Sequence, residues 1–226
     1  MPGVFVTATG TDAGKTYVSA GLIAACRRTA QHVDALKPVI SGFDPANPEG
    51  SDTGRLLAAL GEPVTPEAIA RISPWRFAAP LSPDMAAALE GRTLSFDAIV
   101  AACRATLLPD RTTIIEGVGG VMVPLEPGRT ILDLMAALAI PVVLVSPTGL
   151  GAISHLLTAL DVLARRALAP AAIVLSETPG STVPLKATLA TLAGFCRRGD
   201  VFVLRRMAPS LQEPVFDAIR ARLPDP

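Results

Sequence analysis

The sequence is short of lysine. Of its 20 basic residues only Lys15, Lys37 and Lys186 are lysines, and the other 17 are arginines. Where Arg is the default cation, a retained Lys points to a site that needs a compact, flexible ammonium rather than a planar fork. Net charge is lacking too: 20 acidic residues balance the 20 basic ones, which removes the electrostatic case for nucleic acid or an anionic membrane as the main partner. Cysteine is sparse. Cys26, Cys103 and Cys196 lie far apart without metal-ligand spacing, which argues against a disulfide framework and suits a reducing cytoplasm. No basic segment followed by a long apolar one opens the chain, so no signal peptide is expected and the expected location is cytoplasmic. Leu134 to Leu160 carries no Asp, Glu, Lys or Arg, but Pro141, Pro147, Gly149 and Gly151 interrupt it. It reads as a helix end, a buried strand, a loop and a new helix rather than a membrane span.

Half of the residues are hydrophobic and 18% are charged, a balance that suits a globular core, and with no internal repeat or linker the expectation is one domain over residues 1–226. Short apolar runs without polar alternation, each followed by Gly, Ser, Pro or Asp, predict buried parallel strands at Val4 to Thr7, Ala35 to Ile40, Thr112 to Ile115, Val142 to Val145, Ala172 to Leu175 and Val201 to Leu204. Helical patterns separate them, at Lys15 to Thr29, Asp52 to Leu60, Ser82 to Leu89, Phe96 to Leu107, Ile131 to Leu138, Ile153 to Arg166, Pro184 to Phe195 and Leu211 to Arg222. The alternation predicts a P-loop-like α/β fold with a mostly parallel sheet and helices on both faces. Ligands of such sheets sit beyond the carboxyl ends of the strands.

Four loops there carry candidate chemistry. Thr7 to Thr16 ends Gly14-Lys15-Thr16 between a strand and a helix, a phosphate-binding loop by ending and context. Its backbone N–H groups cradle phosphate, Lys15 reaches the outer phosphates and the Thr16 hydroxyl is placed for Mg²⁺. Thr9 stands where the usual pattern has its first Gly. In Lys37 to Phe43, a lysine at the end of a buried strand needs an anionic partner, the alternative being a side chain snorkelling past the sheet edge. Asp52, near a helix start, is on local grounds alone an N-cap. Glu116 closes a hydrophobic strand before Gly117-Val118-Gly119-Gly120 and is a metal carboxylate or, in the plainer reading, a side chain closing its loop onto backbone N–H groups. Leu150 to Ser154 opens a helix whose free N–H groups suit an anion or are capped locally; His155 just inside it is a packed or capping-region histidine on general grounds.

Together these stretches resemble the dethiobiotin synthetase family over nearly the whole chain. The likeness rests on Phe5-Val6-Thr7, Gly14-Lys15-Thr16, Lys37 to Gly42, Ser51-Asp52, Phe77 to Pro83, Glu116 to Gly120, Pro141 to Val145 and Leu150 to His155. It implies ATP- and Mg²⁺-dependent formation of a cyclic urea from 7,8-diaminononanoate and CO₂, through a carbamate and its phosphoric anhydride. By matching position it implies catalytic roles for Thr11, Lys15, Lys37 and Ser41. Nucleotide would be bound by Asp12, Ala13, Gly14, Lys15, Thr16, Tyr17, Glu116, Gly119 and Ser176, and metal by Thr16, Asp52 and Glu116. Substrate would meet Lys37 and Ser41 and, in a homodimer with the site at its interface, Leu150, Gly151, Ala152, Ile153 and Ser154 of the partner chain. The chain departs from the family pattern at Ala8, Gly10 and Ala13 in the first loop, at Ser154 and Ser176 where Asn is common, and at Asp84 where His is common.

Overall fold

The computed structural model describes residues 3–205 and 210–225. In chain order the first half contains β1 (Gly3–Ala8), α1 (Lys15–Arg28), β2 (Val33–Leu36), β3 (Val39–Ser41), α2 (Asp52–Leu60), α3 (Pro66–Ile72), β4 (Trp75–Phe77), α4 (Pro83–Leu89) and α5 (Phe96–Thr106). The second half adds β5 (Thr112–Glu116), β6 (Pro124–Glu126), β7 (Arg129–Thr130), α6 (Ile131–Leu138), β8 (Val142–Pro147), α7 (Ala152–Ala164), β9 (Ala172–Ser176), α8 (Leu185–Leu192), β10 (Val201–Leu204) and α9 (Pro214–Arg220).

Six strands form one sheet in the order β10-β9-β8-β1-β5-β2, and every pairing in it is parallel. Both faces are covered, which is why the strands lack polar alternation. The two-residue period of β1 sends Val4, Val6 and Ala8 to a core shared with Val18, Leu22 and Ile23 of α1. Phe5 points the other way, into a core with Ile99 and Cys103 of α5 and Leu134 and Met135 of α6. Helix starts follow local chemistry. Ser51, Thr65 and Ser95 accept from the N–H groups of Gly54, Ala68 and Ala98, and Thr130 with Asp133 forms a reciprocal capping box at α6, each satisfying donors that have no partner in the helix itself. Among the described residues no helix is long and apolar enough to cross a membrane.

The expected strand Ala35 to Ile40 is two strands in two sheets. Pro38 has no N–H to give a ladder, and the Lys37 N–H donates to Ile72 O at 2.9 Å. The chain leaves the main sheet there, and β3 pairs in parallel with β4 in a small separate sheet. Helix α3, strand β4 and the β6–β7 hairpin are additional to the sequence expectation. The predicted helices at Pro184 to Phe195 and Leu211 to Arg222 are shorter, Leu185–Leu192 and Pro214–Arg220.

Candidate active site

The P-loop joins β1 to α1. Gly14 takes φ 98° as the N-cap of α1 and offers no side-chain cap, while Asp12 holds φ 56°, a left-handed conformation that non-glycine residues rarely adopt outside over-determined sites. The first-turn N–H groups of α1 therefore open toward a ligand, at the positive end of the helix dipole. The third loop lies flat against this one. A Cβ on Gly120 would sit 3.2 Å from Thr9 O and 3.3 Å from Gly10, and the Val121 N–H donates to Ala8 O at 3.0 Å, so a residue without a side chain is what lets the two loops touch.

At the carboxyl ends of β1, β5 and β2 the structure collects four charged groups. Lys37 is 2% exposed and Glu116 is fully buried. The Lys37 ammonium lies 2.7 Å from Glu116 Oε1 and 2.9 Å from Asp52 Oδ2, with Gly117 O at 3.5 Å. Thr16 Oγ1 donates to the same Glu116 Oε1 at 2.8 Å. Lys15 Nζ donates back to Gly10 O at 3.3 Å. Burial, and then the Lys37 charge, lowers the Lys15 ammonium to about 8. For Lys37 burial acts in the same downward direction, but the Glu116 and Asp52 carboxylates outweigh it and hold its proton affinity above the ordinary lysine value. Burial pushes the Asp52 carboxyl up, and Lys37, Thr16 and Lys15 together bring it below the usual range.

Both local alternatives are thereby overturned. Ser51, not Asp52, caps α2, which frees the Asp52 carboxylate for Lys37. Glu116 closes no loop through backbone N–H groups; its partners are two side chains, and Glu116 Oε2 is buried with no hydrogen-bond partner. An unshared carboxylate oxygen beside a threonine hydroxyl and a second carboxylate is a hard-oxygen donor set that fits a divalent cation. Among the described residues no three His, Cys, Asp or Glu side chains come together, so a cation here would take its remaining oxygens from phosphate and water, as Mg²⁺ does in phosphoryl-transfer sites.

Above this floor lies a cleft of about 910 Å³ lined by Thr11, Asp12, Gly14, Lys15, Thr16, Tyr17, Lys37, Ser41, Asp52 and Gly119, with Pro80 to Pro83 as a wall. Ala13 is buried behind the loop. Ser176, at the carboxyl end of β9, is two strands from β1 and lines neither described cleft. Leu150 to Ser154 also stay away from this cleft: Gly151 caps α7 at φ 86° and Leu150 is 92% exposed. His155 is exposed rather than packed and lines a second cleft of about 460 Å³ with Gly10, Thr11 and Met122. Arg55, which lines the main cleft, was not among the sequence candidates. Its spacing of three residues from Asp52, which places both on one helical face, is the signal that points to it.

A protein-family model described as an AAA domain matches residues 2–210. Solved structures share the fold at low identity. A Pyrococcus furiosus cell division ATPase MinD aligns with TM-score 0.52 at 14% identity over 98% of each chain. A MinC:MinD complex from Aquifex aeolicus aligns with TM-score 0.52 at 10% identity over 99% of this chain and 87% of that one. Sequence relatives are much nearer. An ATP-dependent dethiobiotin synthetase of Methylobacterium nodulans is 50% identical over 81% of this chain and 84% of its own length, and one from Caulobacter sp. strain K31 is 48% identical over 91% and 89%. With paired lysines and carboxylates from four parts of the chain gathered beside one phosphate loop, the chain belongs to the ATP-dependent dethiobiotin synthetase family.

Proposed function

We propose that this chain makes dethiobiotin, in the route to biotin, from 7,8-diaminononanoate, CO₂ and ATP, with Mg²⁺ held by Thr16, Asp52 and Glu116. One amine of the diamine attacks CO₂ and loses a proton, giving a carbamate. A carbamate oxygen then takes the γ-phosphoryl group as ADP leaves. The second amine attacks the carbonyl carbon of this mixed anhydride, the C–O bond to phosphate breaks, and a proton is released as the urea ring closes. The observation that carries this reading is the Lys37 ammonium buried between two carboxylates at the floor of a phosphate-loop cleft.

No step needs a covalent enzyme intermediate, so the work of the protein is placement and charge stabilisation. Lys15 and the first turn of α1 hold the β- and γ-phosphates. Lys37, Thr11 and Ser41, which line one cleft, surround the carbamate and the phosphoryl group in transit. Asp12, Gly14, Tyr17 and Gly119 line the nucleotide side, and Ala13 shapes the loop from behind. Mg²⁺, when bound, neutralises charge on the phosphate oxygens. Ser176 is the residue through which the β9 end would meet the base.

The working unit in this reading is a homodimer. Each chain's α7 start, Leu150 to Ser154, receives the substrate carboxylate for its partner's cleft. Support comes from the fact that none of these residues lines the cleft of its own chain and from the exposure of Leu150 at 92%, Met85 at 55% and Met122 at 54%. The deciding assay follows phosphate release with Mg-ATP, bicarbonate and 7,8-diaminononanoate, with mass analysis of the product. Phosphate release that needs all three and yields the cyclic urea is the expected result. Folded protein that hydrolyses ATP without the diamine, or not at all, would overturn it.

A further inference from the structure

The two carboxylates that suit a divalent cation already face a cation of the protein's own, which takes one oxygen of each and leaves Glu116 Oε2 unshared. Lys37 Nζ and Thr16 Oγ1 meet on the same atom, Glu116 Oε1, at 2.7 and 2.8 Å, and the same ammonium reaches Asp52 Oδ2 at 2.9 Å. A divalent cation ligated by Thr16, Asp52 and the unshared Glu116 oxygen would lie beside this ammonium, and the two positive charges oppose each other at close range. The ammonium is also boxed in. It is almost fully buried, its backbone N–H is committed to Ile72 O, and Pro38 follows it in the chain.

We infer that Lys37 is a resident counter-ion that neutralises the metal carboxylates of the nucleotide-free protein and must be displaced into the cleft before Mg²⁺ binds tightly. This rests on the assignment of the metal to Thr16, Asp52 and Glu116. It gives Lys37 a second task, acting before any chemistry, and explains how two carboxylates one of which is wholly buried are tolerated before ligand arrives. Without the ammonium they would form an uncompensated pair of negative charges in a poorly solvated place. With Lys37 and Lys15 present, two positive groups meet two negative ones. Displacement requires an anion to receive the departing ammonium. Bound phosphate is that anion, because Lys37 and Lys15 line the same cleft and lie close enough for the Lys37 charge to act on Lys15. Metal and nucleotide therefore enter together: phosphate takes the lysine as the carboxylates take the metal. By reciprocity each raises the affinity of the other by the same factor.

The test reads metal binding rather than turnover. Free Mn²⁺ is followed by electron paramagnetic resonance during titration of the parent chain and of Lys37→Met, each alone and with a non-hydrolysable ATP analogue. The parent should take up Mn²⁺ weakly without nucleotide. Lys37→Met should bind it about tenfold more tightly or better, the size of effect that an opposite charge at this range exerts on cation binding by a carboxylate. Adding Glu116→Gln to Lys37→Met should remove that gain. If Lys37→Met binds nucleotide-free Mn²⁺ no better than the parent while both still take it with nucleotide, the counter-ion role is refuted and the metal site stands. If Mn²⁺ uptake with nucleotide is indifferent to Asp52→Asn and Glu116→Gln, the metal assignment itself fails, and the inference with it. A second measurement needs no variant. With only three lysines in the chain, the ¹⁵N signal of the Lys37 ammonium is readily assigned. It should stay put on addition of Mg²⁺ alone and move on addition of Mg²⁺ with the analogue; a signal unmoved by both overturns the inference.

Discussion

Lys15 holds its proton no more firmly than a chain terminus does. Burial and the charge of Lys37 bring it to about 8, near the value of an α-amino group. A bound triphosphate acts in the opposite direction and raises it, so in the window above about 8 nucleotide binding must draw in a proton. Nucleotide affinity should then fall as pH rises through 8, with a limiting slope of about tenfold per unit. Calorimetry at pH 9 in two buffers of different ionisation heat should give an uptake approaching one proton, declining toward zero by pH 6.5; no uptake at pH 9 would place the Lys15 ammonium away from phosphate. The demand for an anion at Lys37 was legible in the sequence, because a lysine closing a buried strand has to be met by one. The identity of that anion was not. Glu116 lies 79 residues further on, and the pairing of β5, which it closes, with β2 is set by topology rather than by any local pattern.

Among the elements, α1 carries the site and α9 holds α1. The two pack so closely at Gly21 that an added Cβ would fall 2.3 Å from the Phe216 ring, itself fully buried and stacked edge-on to Tyr17 at 5.7 Å. The Tyr17 hydroxyl also donates to Ser210 O at 2.9 Å, so the first turn of α1 is tied to the chain just before α9. Gly21→Ala gains about 1 kcal/mol of helix propensity but must displace that ring, and overpacking of this kind costs about 1–3 kcal/mol. The expected outcome is a lower Tm, by about 2–4 °C for each net kcal/mol in a chain of this size, with weaker nucleotide binding as Tyr17 shifts. A Tm unchanged or raised would show that α9 yields freely. The buried strands and the longer helices were readable from apolar runs and periodicity. The break at Pro38 was equally available, since a proline within an apparent central strand argues against one continuous strand. Thr65-Pro66-Glu67 likewise carries an N-cap, a first-turn proline and an early acid, which is how α3 begins. The hairpin of β6 and β7 was harder to foresee, because strands of three and two residues are too short to show a period.

The whole molecule places the anion-ready start of α7 away from its own cleft, and a two-fold dimer turns that into a testable arrangement. In a symmetric pair each working site would draw its phosphate loop from one chain and its α7 start from the other. Lys37→Met disables the first half of a site. Gly151→Val disables the second, because φ 86° is barred to a β-branched residue. Each variant alone should be nearly inactive. After unfolding and joint refolding of an equal mixture, about a quarter of parental activity should return, since half of the dimers are mixed and each holds one intact site. No recovery, with mixed dimers verified by mass, would confine the substrate site to one chain.

The uneven distribution of amines has a consequence for covalent chemistry. Lys15 and Lys37 sit inside the cleft, which leaves Lys186 on α8 as the exposed side-chain amine, and α8 lines neither cleft. Acylating reagents, dyes and activated surfaces thus find one outward-facing lysine, on a helix that lines neither described cleft. The protein can be tethered there in one orientation with its cleft open, and an excess of nucleotide shields the more nucleophilic Lys15 while the attachment is made.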